Sequence, residues 1–153
     1  MIDFIFENAK AFQKKTIKII IERAVTQVFK EISFNKDFYL SVLLTNNHGI
    51  KKINKRYSSL NKSTNVLSFP HNETRFFEHK KQKVILGDIV ISLEKVLEEA
   101  GFENKTFANH LTHMTVHSVL HLFGFTHEKQ KDFNIMKNKE VSVLTKLQIS
   151  SPY

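Results

Sequence analysis

The sequence contains no cysteine. That single absence excludes disulfides and thiolate metal sites together, and it fits a reducing compartment such as the cytoplasm. Long hydrophobic runs are missing as well. The densest apolar cluster, IKIII at 17–21, is broken by charge far short of the roughly 20 apolar residues that span a bilayer. The opening stretch MIDFIFENAK carries Asp3 and Glu7 where a secretory leader carries positive charge. These features predict a soluble, cytoplasmic protein with no membrane partner. Acidic residues are the scarcer charge, 15 against 23 Lys and Arg, which leaves a net charge of +8 and a pI near 9.6. Basic clusters at 14–18, 51–56, 80–83 and 129–139 suit a polyanionic partner, because each phosphate neutralised releases condensed counterions. A merely solvated basic surface explains the charge equally well.

At 153 residues the chain is long enough for one domain with a real core. Periodicity along it gives alternating short strands and helices without a linker or repeat. IDFIF at 2–6 alternates like an edge strand, and 16–32 has apolar residues at helical spacing with Thr16 placed to cap it. FYLSVLLT at 38–45 is strand-like, and NNHG at 46–49 has turn or helix-capping chemistry. A short helix is predicted over 49–60, strands over 65–70 and 83–92, and an exposed loop over 71–83. Three helices complete the chain: one closed by Gly101, a long one closed by Gly124, and one over about 130–147. The expected architecture is α+β, a small mixed sheet packed against about five helices.

The chemistry concentrates in HSVLHLFGFTH at 117–127. His110, His113, His117 and His121 fall on one helical stripe about 80° wide. Histidines at i and i+4 project side by side and can reach one ion. Gly124 stands where a helix ends in a left-handed residue, which would turn the chain back and bring His127 to the same point. Three protein ligands with a fourth position left open is the pattern of a catalytic zinc site, although nickel, copper and cobalt also accept imidazoles. Neutral ligands leave the ion its full charge for acidifying water.

The same spacing occurs in metzincin proteases, which place Glu directly after the first histidine as general base. Ser118 occupies that position here, and a hydroxyl cannot hold the proton a peptidase base must accept. Phosphodiester chemistry can lean more on the metal and on basic side chains, in keeping with the net charge.

The residues resemble a known family. HSVLHLFGFTH is similar to the H-G-x-L-H-L-x-G-Y-D-H signature of YbeY-type bacterial endoribonucleases. INKRYSSLNKSTNVLSFP at 53–70 and LGDIVIS at 86–92 look like two further segments of that family, and Met136 and Glu140 match a Met and a Glu of its last helix. The likeness covers most of residues 53–140, with the first fifty in outline only. It implies a single α+β domain over 1–153 with zinc on His117, His121 and His127. It also implies cleavage of single-stranded RNA in 16S rRNA 3′-end maturation and ribosome quality control, with ribosomal particles as partners. The sequence does not fix an oligomeric state.

Departures from the family pattern bear on catalysis. Ser58 replaces an arginine thought to act at the active site, Asn61 an acid, Ser63 a proline and Ser118 a glycine. Arg56 stands as the substitute catalytic cation if its loop turns it inward, with an ordinary exposed side chain as the alternative, and Lys62 is nearby in sequence. Asp88 is placed either to orient a ligand imidazole or to cap a turn. His113 is placed for the core or for support of the site, and Phe123 and Phe125 for packing beneath it. The missing arginine and missing carboxylate base sustain a second reading, a non-catalytic zinc-containing rRNA-binding assembly factor.

Overall fold

A computed structural model describes residues 1–58 (Ser58 by its backbone only), 64–71 and 83–153. Among the described residues, five helices and a four-stranded sheet follow the order β1 (Ile2–Phe6), α1 (Lys14–Glu31), β2 (Phe38–Thr45), α2 (Asn47–Ser58), β3 (Val66–Pro70), β4 (Val84–Ser92), α3 (Leu93–Phe102), α4 (Phe107–Leu122) and α5 (Gln130–Lys146). The strands lie in the order β1-β2-β4-β3. β1 and β2 pair in parallel, as do β2 and β4, while β3 runs antiparallel to β4. The sheet is therefore mixed, as expected, with β1 at one edge as its alternation predicts and β3 at the other. The loop expected over 71–83 falls almost entirely outside the described residues, as do Asn61, Lys62 and Ser63.

Sequence pattern accounts for most of this. β4, flanked on both sides, carries the near-continuous apolar run of a buried strand, with Leu86, Ile89, Val90 and Ile91 all inside. α1 buries Ile17, Ile21, Ala24, Val25 and Val28, one stripe at 3.6-residue spacing. α4 is the central helix, packing on α1, α3 and α5 and against β3 and β4. Ten of its residues are buried, four of them polar (His110, Thr112, Thr115 and Ser118), so it is covered nearly all round and meets water on a narrow strip only. Phe29 and Phe34 each meet Phe123 edge-to-face at the C-terminal end of α4 and tilt against one another, at centroid separations of 4.9–6.0 Å.

Two helix boundaries differ from expectation. Thr16 does not cap α1: the carbonyl of Gln13 accepts the Ile17 amide at 3.1 Å, so Gln13 is the cap and Thr16 lies within the first turn. Lys14 and Lys15 are good helix formers and extend the helix backwards. Gly101 does not end α3 either. Asn104 takes the left-handed conformation (φ 55°), and the Lys105 amide returns to the Ala100 carbonyl at 2.9 Å. Asparagine tolerates that region almost as glycine does, so Gly101 is free to stay helical.

Gly87 holds the sheet together at its bulge. The pairing of β2 with β4 slips between Tyr39 and Leu40, which face Ile85 and Gly87. Gly87 has φ +138°, and a Cβ there would stand 2.2 Å from the Phe69 carbonyl of β3. Only glycine lets the three strands approach at this point.

Candidate metal centre

His117 and His121 project from the last two turns of α4, and His127 returns to them after the chain reverses. The reversal is set by Gly124 (φ +91°): its amide donates to the His121 carbonyl at 3.0 Å and the Phe125 amide to the Leu120 carbonyl at 3.1 Å. This pair of bonds is the Schellman motif. Nothing lies within 4 Å of a Cβ added at Gly124, so its requirement is conformational rather than steric. The expected turn is the one observed.

One nitrogen from each of the three histidines lies within 4.8 Å of the others. Their protonation follows from their partners. The Phe125 carbonyl accepts from Nδ1 of His121 at 2.8 Å, and the Glu140 carboxylate accepts from Nδ1 of His117. Neither partner can donate. With one proton per ring, both Nε2 atoms then present lone pairs, and these face each other at 2.9 Å. Two lone pairs so placed repel each other, and a shared cation turns that repulsion into coordination. The pKa of His121 is lowered by burial and then by neighbouring His117, which keeps its lone pair free. The donor set thus fits a transition-metal ion that favours nitrogen ligands.

Glu140 is the residue whose role the sequence reading missed. It lies on α5, wholly buried, and accepts from His113 Nε2 at 3.2 Å, from His117 Nδ1 and from the Tyr153 hydroxyl. Burial alone would raise its pKa, but these three hydrogen bonds outweigh burial and bring it down to about 2. A buried anion behind a ligand histidine fixes the ring and raises its basicity. A signal was present: Met136, Glu140, Val143 and Leu144 form the buried stripe of α5, and a carboxylate on an apolar stripe needs a reason.

His113 serves this carboxylate rather than the apolar core alone, with its side chain only 13% exposed. Its Nδ1 is buried and has no hydrogen-bond partner among the described residues, and with Nε2 against the carboxylate, Nε2 is the donor. His110, also on the stripe, is turned to Glu99, which it meets at 3.1 Å. Glu99 also accepts from Asn65 at 3.0 Å, tying the start of β3 to α3 and α4. Ser118 is wholly buried, returns its hydroxyl to the Met114 carbonyl at 2.8 Å, and does not line the hollow onto which the three imidazoles open. Phe123 and Phe125 pack against the core.

The histidines open into a hollow of about 520 Å³ along β3, lined also by Asn65, Ser68, Pro70 and Phe125. No Lys or Arg lines it among the described residues. Arg56 lies elsewhere. It is exposed on α2 with its guanidinium 5.6 Å from the Tyr57 ring centre, in a second hollow shared with Lys52, Phe69 and Asp88. Asp88 faces that second hollow, so the carboxylate that orients the His117 imidazole is Glu140 and not Asp88.

An α+β domain with three convergent imidazoles, one backed by a buried carboxylate, defines a protein of the class that could hold a catalytic metal ion. The family model described as endoribonuclease YbeY matches residues 3–148, and the chain belongs to that family. It is 37% identical over 153 residues to an endoribonuclease YbeY of Bartonella bacilliformis, covering 99% of this chain and 96% of the relative. Its fold is similar to the solution structure of TM1509 from Thermotoga maritima, with a TM-score of 0.60 at 26% identity, over 97% of this chain and 92% of that one. Among the described residues no helix is long and apolar enough to cross a membrane.

Proposed function

We propose that residues 1–153 form a single metal-dependent endoribonuclease domain. It cleaves single-stranded RNA in the cytoplasm, in maturation of the 16S rRNA 3′ end and in ribosome quality control, on ribosomal particles. His117, His121 and His127 would hold one zinc ion. The observation that carries this reading is the pair of Nε2 lone pairs facing each other at 2.9 Å with His127 beside them. Family membership supports RNA as the substrate, and the net charge of +8 suits a polyanion.

When bound, the ion supplies Lewis acidity, polarising oxygen and stabilising the charge that develops in phosphodiester cleavage. The chain's own part is to hold three neutral nitrogens in place. Glu140 and the Phe125 carbonyl fix two of the rings, and the rim of β3 offers Asn65 and Ser68 as hydrogen-bonding groups for a strand lying in the hollow. Arg56 would bind phosphate from the second hollow rather than act at the reacting atoms.

A zinc-containing rRNA-binding assembly factor without cleavage is the second reading. It is favoured by one observation: among the described residues no cation lines the histidine hollow. Cleavage of a single-stranded RNA oligomer by the wild type and by His121→Ala, purified in parallel and with zinc measured in both, separates the two. The nuclease reading expects about one zinc per chain and cleavage in the wild type alone. Full zinc occupancy with equal cleavage in both preparations would reject it and leave the assembly factor.

A further inference from the structure

The support behind His117 does not end at Glu140. Tyr153 lies beyond the end of α5, where the chain comes back onto the helix. Its ring stands 6.2 Å from Phe133 and 6.2 Å from His113, centre to centre, with the Lys137 ammonium 4.9 Å from its face. These contacts hold a side chain that is otherwise half exposed. Its hydroxyl donates to Oε2 of Glu140, the same oxygen that accepts from His113, while Oε1 accepts from His117. All three donors to this buried carboxylate are thereby divided, two on one oxygen and one on the other.

We propose that Tyr153 is a positioning residue of the metal centre: by holding Oε2 of Glu140 it aims Oε1 at His117 and fixes the ring with Nδ1 protonated and Nε2 free for the ion. The inference rests on the reading of the three histidines as metal ligands, and it goes beyond that reading by giving a residue beyond α5 a share in the site.

The physics is that of a carboxylate with rotational freedom. Glu140 reaches the site across the packing of α4 on α5, and its carboxyl group can turn about its terminal torsion, which is broad for an sp³–sp² bond. His113 alone pins one oxygen from the α4 side. Tyr153 pins the same oxygen from the segment that follows α5, so rotation would break two hydrogen bonds to an ionised group rather than one. Fixing the carboxylate fixes the imidazole, and groups that orient ligand histidines typically change metal affinity about 10–100-fold when altered.

The variant that isolates the hydroxyl is Tyr153→Phe, because the ring keeps its contacts with Phe133 and Lys137. Two readouts are needed. In metal-free protein, nitrogen NMR of the imidazole ring reports the tautomer of His117; in zinc-loaded protein, competition with a chromophoric chelator reports affinity and release rate. The expected result is loss of the single Nδ1–H tautomer of His117 in favour of a mixture, and zinc held several-fold to about 10-fold more weakly, released correspondingly faster. His121→Ala serves as the control on the metal reading. If the wild type and His121→Ala bind zinc alike, the ligand assignment has failed, and the tautomer measurement still decides the role of Tyr153. A His117 tautomer unchanged in Tyr153→Phe overturns the proposal. A variant that only melts at lower temperature, with tautomer and affinity intact, does the same.

Discussion

Among the described residues, the hollow beside α4 collects three imidazoles and no Lys or Arg, whereas the hollow beneath α2 holds Lys52 and Arg56 and no histidine. Strand β3 contributes to both, presenting Ser68 and Pro70 to the first and Phe69 to the second. The separation has a physical logic. A cation placed among neutral ligands would repel an incoming metal ion, while a buried anion behind them attracts it. Glu140 supplies that anion, and the basic side chains are kept where an RNA backbone can meet them in water. Under the proposed function, metal binding and phosphate binding fall on different surfaces of the fold, and substitutions should affect one without the other.

The largest effect belongs to the ligands. His121→Ala removes a proposed ligand whose ring is held at 2.8 Å by the Phe125 carbonyl, and zinc affinity should fall by more than the roughly 100-fold that outer groups can cost, as read by chelator competition. Glu140→Gln comes next. The amide still accepts on one side but carries no charge, so zinc should bind about 10–100-fold more weakly. Unchanged affinity would remove the buried anion from the account.

Gly124→Ala should destabilise the fold by about 1–2 kcal/mol, the cost of a left-handed Cβ, because there is space for the methyl but φ is +91°. Gly124→Asn should recover part of that loss, as Asn104 shows at the end of α3, and urea unfolding measures both. The smallest effect on the metal comes from Arg56→Ala. It should leave zinc affinity within about twofold, since distant sites add independently. It should also lower the salt dependence of RNA binding by about one phosphate contact. A large change in zinc affinity on losing Arg56 would break the division between the two hollows.

Much of this was legible in the sequence, for identifiable reasons. The period-2 run IDFIF and the β-branched run of β4 give strands, and the 3.6-residue stripe of α1 gives a helix. The spacing of His117, His121 and His127 with Gly124 between them is local geometry, so the turn and the convergence could be read from one segment. Helix ends were harder. Left-handed residues close α1, α3 and α5 at Ser33, Asn104 and Gln148, and none of these is glycine. The pull of tertiary packing decides such ends, so residue identity marked only the end of α4. The support network was hardest to see, because Glu140 lies 23 residues and Tyr153 lies 36 residues beyond His117. Spacing says nothing about which distant carboxylate folds back onto an imidazole. The placement of Arg56 in the second hollow was illegible for the same reason.

The claim on which the rest depends is that three imidazoles from α4 and the turn after it take one ion together. X-ray absorption at the metal edge of the zinc-loaded protein tests this most directly. The account predicts one zinc per chain with three imidazole nitrogens at about 2.0–2.1 Å, and loss of that signature in His127→Ala. A zinc coordinated by two imidazoles or fewer, or a signature that survives removal of His127, would contradict it.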